Sequence, residues 1–146
     1  MKRGFTLLEI LVALVIMGVV MALGVPRFRE WMTHENVRQA RVNVTTQLAG
    51  ARSIAVQRGC QAVFHIDPSS SRVWITSCRL QGGGIDTVGL VENMSSRYGV
   101  VFASTGDSVV FTPQGIAFGA AWITMTLSKA GYDAVLEISP LGRPQW

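Results

Sequence analysis

Residues that carry catalytic chemistry are scarce in this chain of 146 residues, which has two histidines, two cysteines and 15% charged residues. His34 and His65 lack the H-E-x-x-H spacing of a zinc peptidase, and Cys60 and Cys78 are too far apart for a C-x-x-C redox or zinc motif. The glycines at 82–84 are not followed by the Lys-Ser/Thr pair of a phosphate-binding loop. We therefore expect no enzymatic activity, no metal site and no cofactor.

Positive charge is also modest. The formal net charge is +4, and it falls to about +2 if Lys2 and Arg3 are removed from the mature chain. Proteins that bind nucleic acid through phosphate contacts usually concentrate more basic residues than this. The charge balance therefore disfavours nucleic-acid binding as the main function.

What the chain has in excess is apolar sequence, concentrated at its start. From Phe5 to Val25 only Thr6 and Glu9 are polar, and a helix of this length reaches roughly 31 Å, which matches the hydrocarbon core of a bilayer. The two basic residues before this segment also suit a secretory signal peptide. The length, the carboxylate inside the segment and the lack of an A-x-A-like site before Pro26 favour a retained membrane anchor.

After Pro26 the sequence becomes periodic and predicts that the helix continues with one apolar face. Proline removes one helical hydrogen bond, so we expect a kink at Pro26, and Gly59 is the expected end of a helix of about fifty residues. The apolar face consists of Val37, Ala40, Val44, Leu48, Ala51 and Ala55. We expect this face to pack on the domain that follows.

A second set of helical residues is basic. At 100° per residue these side chains fall within about 60° of one another. We call the set the basic stripe: Arg27, His34, Arg38, Arg41 and Arg52. The stripe either binds an acidic subunit or a polyanion, or it is a solvated face with Glu30 and Glu35 nearby.

The remainder of the chain is typical of strands joined by turns. Ile123, Met125 and Leu127 alternate with threonines, and residues 132–138 alternate in the same way, so the turn at 128–131 predicts a hairpin. Residues 99–103 and 107–111 predict another hairpin. The glycine-rich and serine-rich stretch 81–99 predicts a loop with one weak strand near 88–91.

The two cysteines flank a further predicted hairpin. The segments QAVFHI (61–66) and RVWITS (72–77) surround the turn signal DPSSS. Pairing Ile66 with Arg72 places Cys60 directly opposite Cys78, which makes a cross-strand disulfide available. Such a bridge would place this part of the chain in an oxidising compartment.

The segment KRGFTLLEILVALVIMGVV resembles the N-terminal methylation motif of type IV pilins and type II secretion pseudopilins. The resemblance implies that a prepilin peptidase cuts between Gly4 and Phe5 and that Phe5 becomes N-methylated. It also implies that Glu9 is the filament-assembly glutamate and that the helix bends at Pro26. The implied partners are other pilins or pseudopilins, the peptidase, an inner-membrane assembly platform, and membrane lipid before assembly.

The charges near the predicted cut site give Glu9 the same role. Cutting after Gly4 creates a positive amine at Phe5, and this amine attracts a carboxylate at a similar depth in the membrane. In the family the amine belongs to a neighbouring subunit, so the pair sets the axial register of the filament. The alternative is that Glu9 only extends to the membrane surface from an ordinary anchor.

The C-terminal part resembles the GspH/FimT pseudopilins, in which a strand ending in Phe-x-Pro-x-Gly precedes a last hairpin and a terminal Gly-Arg. The matching residues are Phe111, Pro113, Gly115, Gly142 and Arg143. DNA-binding FimT-like pilins share a terminal Gly-Arg-x-Arg, whereas this chain has Gln145 in place of the second arginine of that motif. Arg143 alone provides a single phosphate contact. Trp146 either stacks on a base or covers the end of the sheet.

The expected fold is α+β: a long N-terminal helix packed on a small domain of two antiparallel sheets. We divide the chain into a leader at 1–4, a transmembrane helix at 5–26, an amphipathic helix at 27–59 and a periplasmic β domain at 60–146. The resemblance implies a single-pass protein in the bacterial inner membrane, with its C-terminal domain in the periplasm, that later enters a pilus or pseudopilus. The expected function is that of a minor pilin or pseudopilin that helps to initiate or cap filament assembly.

Two other functions remain as alternatives. One is a DNA-binding minor pilin for natural DNA uptake, for which Arg143 is the candidate contact. The other is a membrane-anchored enzyme or binding module, which the lack of a catalytic constellation disfavours.

Overall fold

The computed structural model describes residues 6–79, 83–119 and 121–146. The predicted cleavage and methylation site at Gly4 and Phe5 lies outside the described residues. The described residues form two helices and nine strands. In chain order these are α1 (Leu7–Arg58), β1 (Ala62–Asp67), β2 (Arg72–Cys78), β3 (Ile85–Asn93), α2 (Met94–Tyr98), β4 (Val101–Ser104), β5 (Ser108–Phe111), β6 (Ala117–Phe118), β7 (Ile123–Lys129), β8 (Tyr132–Ile138) and β9 (Pro144–Gln145).

The chain divides into two compact units, Met1–His34 and Glu35–Trp146, and α1 contributes to both. In the first unit every side chain from residue 6 to residue 32 is exposed, although most of them are apolar. By length and composition α1 is able to cross a membrane near its N-terminal end. Pro26 lies inside the continuous helix, and the kink at this residue stays a prediction.

The second unit is built on the other half of α1. The buried residues of this helix are those of the predicted apolar face: Val37, Ala40, Val44, Leu48, Ala51 and Ala55. Three of the six are alanines, which permit a close approach of the helix to the strands it packs on. The helix ends at Arg58 as expected, because Gly59 adopts a φ of +64° that favours glycine.

Two antiparallel sheets face this helix. One has five strands in the order β3-β2-β1-β5-β6, and the other has four in the order β4-β7-β8-β9. The inward residues of both sheets join the buried face of α1 in one hydrophobic core, whose largest fully buried side chains are Phe64 and Phe111. The α+β fold class is therefore confirmed.

The β1–β2 hairpin forms, but the predicted register is wrong by one residue. Arg72 pairs with Asp67 and not with Ile66. The observed register places Ile66 opposite Val73 on the buried face. The predicted register would have placed Arg72 opposite Ile66. Asp67 also fixes the turn, since its carboxylate accepts hydrogen bonds from the backbone N–H of Ser69 at 3.0 Å and from the hydroxyls of Ser69 and Ser70.

The predicted hairpin between residues 99–103 and 107–111 is also wrong. The first segment forms β4 and pairs with β7, while the second forms β5 and pairs with β1 and β6. The connection between them crosses from one sheet to the other. Thr105 N–H donates to the carbonyl of Thr124 on one side, and Asp107 accepts from Ile66 N–H on the other.

The stretch 81–99 contains more structure than predicted. β3 runs from Ile85 to Asn93 and α2 follows at once. The ladder with β2 skips three residues of β3 around Gly89, which has a φ of +83°. This bulge accounts for the glycine that suggested a loop. Asn93 caps α2 by accepting a hydrogen bond from Ser96 N–H at 2.9 Å.

The last hairpin, β7–β8, is confirmed. Ile123, Met125 and Leu127 are buried as predicted. The turn is shorter than expected and consists of Ala130 and Gly131, both with positive φ. The tail then adds β9 to the edge of this sheet.

Candidate assembly surfaces

The first turn of α1 holds Glu9 in a capping box. Thr6 precedes the helix, its hydroxyl accepts from Glu9 N–H at 3.3 Å, and the Glu9 carboxylate accepts from Thr6 N–H at 3.4 Å. This reciprocal pair satisfies backbone donors that the first turn of a helix leaves without partners. Sequence reasoning missed this role, although the T-x-x-E spacing is its signature.

The same capping geometry leaves Glu9 on an exposed helix surface. Its neighbours along the helix are apolar and also exposed, and Ile10 retains 52% of its surface. A carboxylate on such a face has solvent or a partner as its environment, not the core of its own subunit. The bond from Thr6 N–H is long and engages Oε2 of the carboxylate, so Glu9 retains acceptor capacity for a cation.

The predicted disulfide is present between Cys60 and Cys78, whose Cα atoms are 6.2 Å apart. The last paired residues at this end of the β1–β2 ladder are Ala62 and Ser77. Cys60 lies just before β1, outside the ladder, and it therefore reaches Cys78 despite the shifted register. The guanidinium of Arg58 donates to the Cys78 carbonyl at 2.7 Å. The bridge and this hydrogen bond tie the end of α1 to the end of β2.

Two arginines of the basic stripe in the second unit, Arg38 and Arg41, contact their own domain. Arg38 lies 3.5 Å from the Glu35 carboxylate in an exposed ion pair, which contributes little stability. Arg41 donates to the carbonyl of Val135 at 3.4 Å and lies over the ring of Trp146. These contacts favour the solvated-face interpretation over a phosphate-binding track.

The C-terminal tail folds back on the sheet that carries it. Gly142 N–H and Ser139 N–H make hydrogen bonds of 2.8 and 2.9 Å across the turn, to the carbonyls of Ser139 and Arg143. The Arg143 side chain is exposed. Trp146 does not cover the end of the sheet closely, because 72% of its surface is exposed and Arg41 lies 5.4 Å from its ring centre.

Steric contacts explain why the two positions of the C-terminal pattern are glycines. A β-carbon at Gly142 would lie 2.6 Å from the ring of Phe111, and one at Gly115 would lie 3.0 Å from Val56 of α1. Both glycines also have positive φ, near +72° and +74°. The Phe-x-Pro-x-Gly and Gly-Arg segments therefore meet in space and set the packing of the tail on β5.

Two shallow grooves run beside α1 and share Asn43 and Thr46 as lining residues. One has a volume of about 410 Å³ and reaches Tyr98, and the other, of about 460 Å³, reaches the β3 bulge at Leu90. Leu90 is 79% exposed. Small-molecule sites are usually enclosed and mostly apolar. Open grooves of mixed polarity such as these are better suited to binding the surface of another protein.

The described residues hold no group of three or more His, Cys, Asp or Glu side chains arranged for a metal ion. The ring of His65 contacts side chains of its own sheet. Its ring stacks on Trp74 at 4.9 Å, and its Nε2 lies 2.8 Å from the Thr76 hydroxyl. Partial burial lowers the pKa of His65, while the negative charge of Asp107 opposes that shift.

An exposed apolar helix with one capped carboxylate, continued into a domain of two antiparallel sheets, is the architecture of a pilin-like filament subunit. The sequence models agree: the prokaryotic N-terminal methylation motif matches residues 1–25, and the model named Type II transport protein GspH matches residues 40–142. The chain belongs to the GspH family. Members of this family are structural pilin or pseudopilin subunits and are not known as enzymes.

Individual relatives are similar in both sequence and fold. A fimbrial protein of Pseudomonas aeruginosa is 26% identical over 133 residues, which cover 89% of this chain and 82% of the relative. The type IV minor pilin FimU of the same organism has a TM-score of 0.60 at 20% identity, with 79% of this chain and 90% of FimU covered.

The minor pseudopilin EpsH from the type 2 secretion system of Vibrio cholerae has a TM-score of 0.56 at 10% identity, with 75% and 94% covered. At these identities the two solved structures show the fold.

Proposed function

We propose that this protein is a minor pilin or pseudopilin that helps to initiate or cap a type IV pilus or a type II secretion pseudopilus. The observation that carries the proposal is the exposed apolar half of α1 with Glu9 in its first turn. Such a surface is stable in lipid, or against the same surface of neighbouring subunits. Family membership and the fold shared with minor pilins support the same role.

The proposed maturation begins in the inner membrane with the β domain in the periplasm. A prepilin peptidase cuts between Gly4 and Phe5, and the new N-terminus at Phe5 is methylated. The amine keeps its positive charge after methylation. A subunit leaving the membrane through an assembly platform then brings this amine near a carboxylate on a neighbouring helix.

Glu9 supplies the carboxylate for that contact. An unpaired charge at the centre of a bilayer costs about 2.5 to 3.5 kcal/mol, and less near the surface. Pairing Glu9 with a neighbour's amine removes this cost on entry into the filament and fixes the axial offset between two subunits. The disulfide at Cys60 and Cys78 stabilises the domain that the filament displays.

Mass spectrometry of sheared filaments from the producing bacterium tests the proposal. We expect a mature chain that starts with N-methylated Phe5, present in few copies per filament, and gold-labelled antibody at filament ends. Gly4→Asp is the matched control, since it should leave an uncut precursor in the membrane. A mature chain that starts at Met1 or after Pro26, or one distributed evenly along filaments, would contradict the proposal.

A further inference from the structure

The apolar surface of α1 does not end at Pro26. Phe28, Trp31 and Met32 retain 58%, 61% and 44% of their surfaces. At 100° per residue the three lie within about 100° of one another, so they form one face of the helix. The rings of Phe28 and Trp31 are 5.9 Å apart and inclined by 31°, so the two aromatic side chains form a single exposed patch.

The distance along α1 from its first turn to this patch matches the thickness of a membrane. From Leu7 to Trp31 the helix rises by about 36 Å, at about 1.5 Å per residue. The hydrocarbon core is about 30 Å thick, and the headgroup layers extend the bilayer to about 40 to 45 Å. With the Glu9 end at one surface, Phe28 and Trp31 lie in the headgroup layer of the other.

The charges around the patch suit the same layer. Arg27 and Arg29 lie about 100° to either side of Phe28 on the helix, and neither forms an ion pair with another residue in the described ranges. Tryptophan concentrates at membrane interfaces because its ring is apolar and its N–H is polar. Arginine binds phosphate through several N–H donors at once.

We propose that Phe28, Trp31, Arg27 and Arg29 form a binding site for the headgroup layer of an anionic phospholipid bilayer. The site holds α1 at the depth that keeps Glu9 at the opposite surface until the subunit is taken into a filament. This inference rests on the proposed function only in taking the chain to be membrane-anchored before assembly. A second copy of the chain is a poor occupant, since it would bring its own Arg27 and Arg29 against like charges.

Fluorescence quenching of the full chain in vesicles of phosphatidylethanolamine and phosphatidylglycerol tests this site. One variant keeps only Trp31, through Trp74→Phe, Trp122→Phe and Trp146→Phe. A matched control keeps only Trp146, which is 72% exposed in the second unit. Quenchers are attached to the lipids at headgroup, shallow and deep positions, and acrylamide reports on exposure to water.

We expect Trp31 to lie about 15 to 20 Å from the bilayer centre, since half the hydrocarbon core is about 15 Å. Trp31 should be shielded from acrylamide, and Trp146 should show the reverse behaviour. Strong quenching of Trp31 by acrylamide, or strongest quenching by the deep label, would overturn the proposal. So would shielding of Trp31 in filaments but not in vesicles, because a neighbouring subunit would then be the occupant.

Three further variants keep the test decisive. Trp31→Phe alone leaves the other three tryptophans in place and should remove the lipid-quenched component even if a triple variant folds poorly. Arg27→Gln with Arg29→Gln should remove the dependence of Trp31 depth on phosphatidylglycerol. Arg72→Gln with Arg143→Gln removes the same charge elsewhere and should preserve it; an equal response of both pairs would contradict a specific site. The vesicles contain no other subunit, so failure of filament entry leaves this result unaffected.

Discussion

Gly142 lies against Phe111 so closely that a β-carbon at residue 142 would come within 2.6 Å of the aromatic ring. Phe111 is fully buried, so its ring has little room to move. Gly142→Ala should therefore lower the free energy of unfolding through two effects. The positive φ costs about 1 to 2 kcal/mol for alanine, and overpacking adds about 1 to 3 kcal/mol.

Gly59→Ala is the matched control for this effect. Gly59 has a φ of +64°, similar to the +72° of Gly142, but a β-carbon there meets nothing within 4 Å. Urea denaturation of both variants in detergent micelles should show a clearly larger loss for Gly142→Ala. Equal losses would mean that the tail is not packed on Phe111 as the structure has it.

The Cys60–Cys78 bridge should stabilise the second unit without taking part in assembly directly. It joins residues 18 apart, for which the chain-entropy model suggests about 3 kcal/mol. Replacing both cysteines by alanine should lower the urea midpoint by a corresponding amount. Thiol labelling of the exported native protein should find no reactive cysteine; two labelled thiols would show that the bridge does not form in the cell.

The stability of the second unit should fall as the pH drops below about 6.5. Burial lowers the pKa of His65, with Asp107 opposing, so the unfolded chain binds a proton at a higher pH than the folded one. Stability then rises with pH between the folded pKa and the ordinary value of about 6.5, and it is lost on acidification through that range.

Urea denaturation between pH 5 and 7.5 measures the effect of His65. This range excludes most of the contribution of Asp67, whose carboxyl pKa is held below its usual value by hydrogen bonds from Ser69 and Ser70. His65→Gln should flatten the profile. An unchanged profile in that variant would assign the pH dependence to another group.

Local sequence patterns predicted the elements whose contacts are periodic. The buried face of α1, from Val37 to Ala55, was read from helical spacing alone, and β7 and β8 from alternation. The T-x-x-E spacing of Thr6 and Glu9 is also a local signal, since it predicts a capping box. Such features depend on neighbours within a few residues, so the sequence contains the information directly.

The errors concern contacts that the local pattern does not determine. The β1–β2 register depends on which residues face each other across the sheet, and the Asp67 side chain shortens the turn by one residue. β4 and β5 are neighbours in sequence but belong to different sheets, and this separation is decided by their partners, β7 and β1. The contact between Gly142 and Phe111 is likewise visible only in three dimensions.

Duplex DNA should bind weakly or not at all. Arg143 is exposed, but Arg38 is paired with Glu35, and Arg41 is held by Val135 and Trp146. Arg143 alone provides one phosphate contact at the C-terminus, which gives a salt slope near −0.9 and corresponds to low affinity. A gel-shift titration at physiological salt measures this. Submicromolar binding abolished by Arg143→Ala would favour the DNA-uptake role instead.

We expect Glu9 to act in assembly through its charge and not only as a helix cap, and two substitutions separate these roles. Glu9→Gln keeps an acceptor for the Thr6 N–H but removes the charge, whereas Thr6→Ala removes the capping hydroxyl and keeps the charge. The direct measurement is the amount of each variant in sheared filaments relative to the membrane pool. We predict at least about a tenfold loss for Glu9→Gln, as expected for a pairing free energy of about 1.4 kcal/mol or more, and near-normal entry for Thr6→Ala. Normal entry of Glu9→Gln together with loss of Thr6→Ala would contradict charge pairing and leave Glu9 as a helix cap.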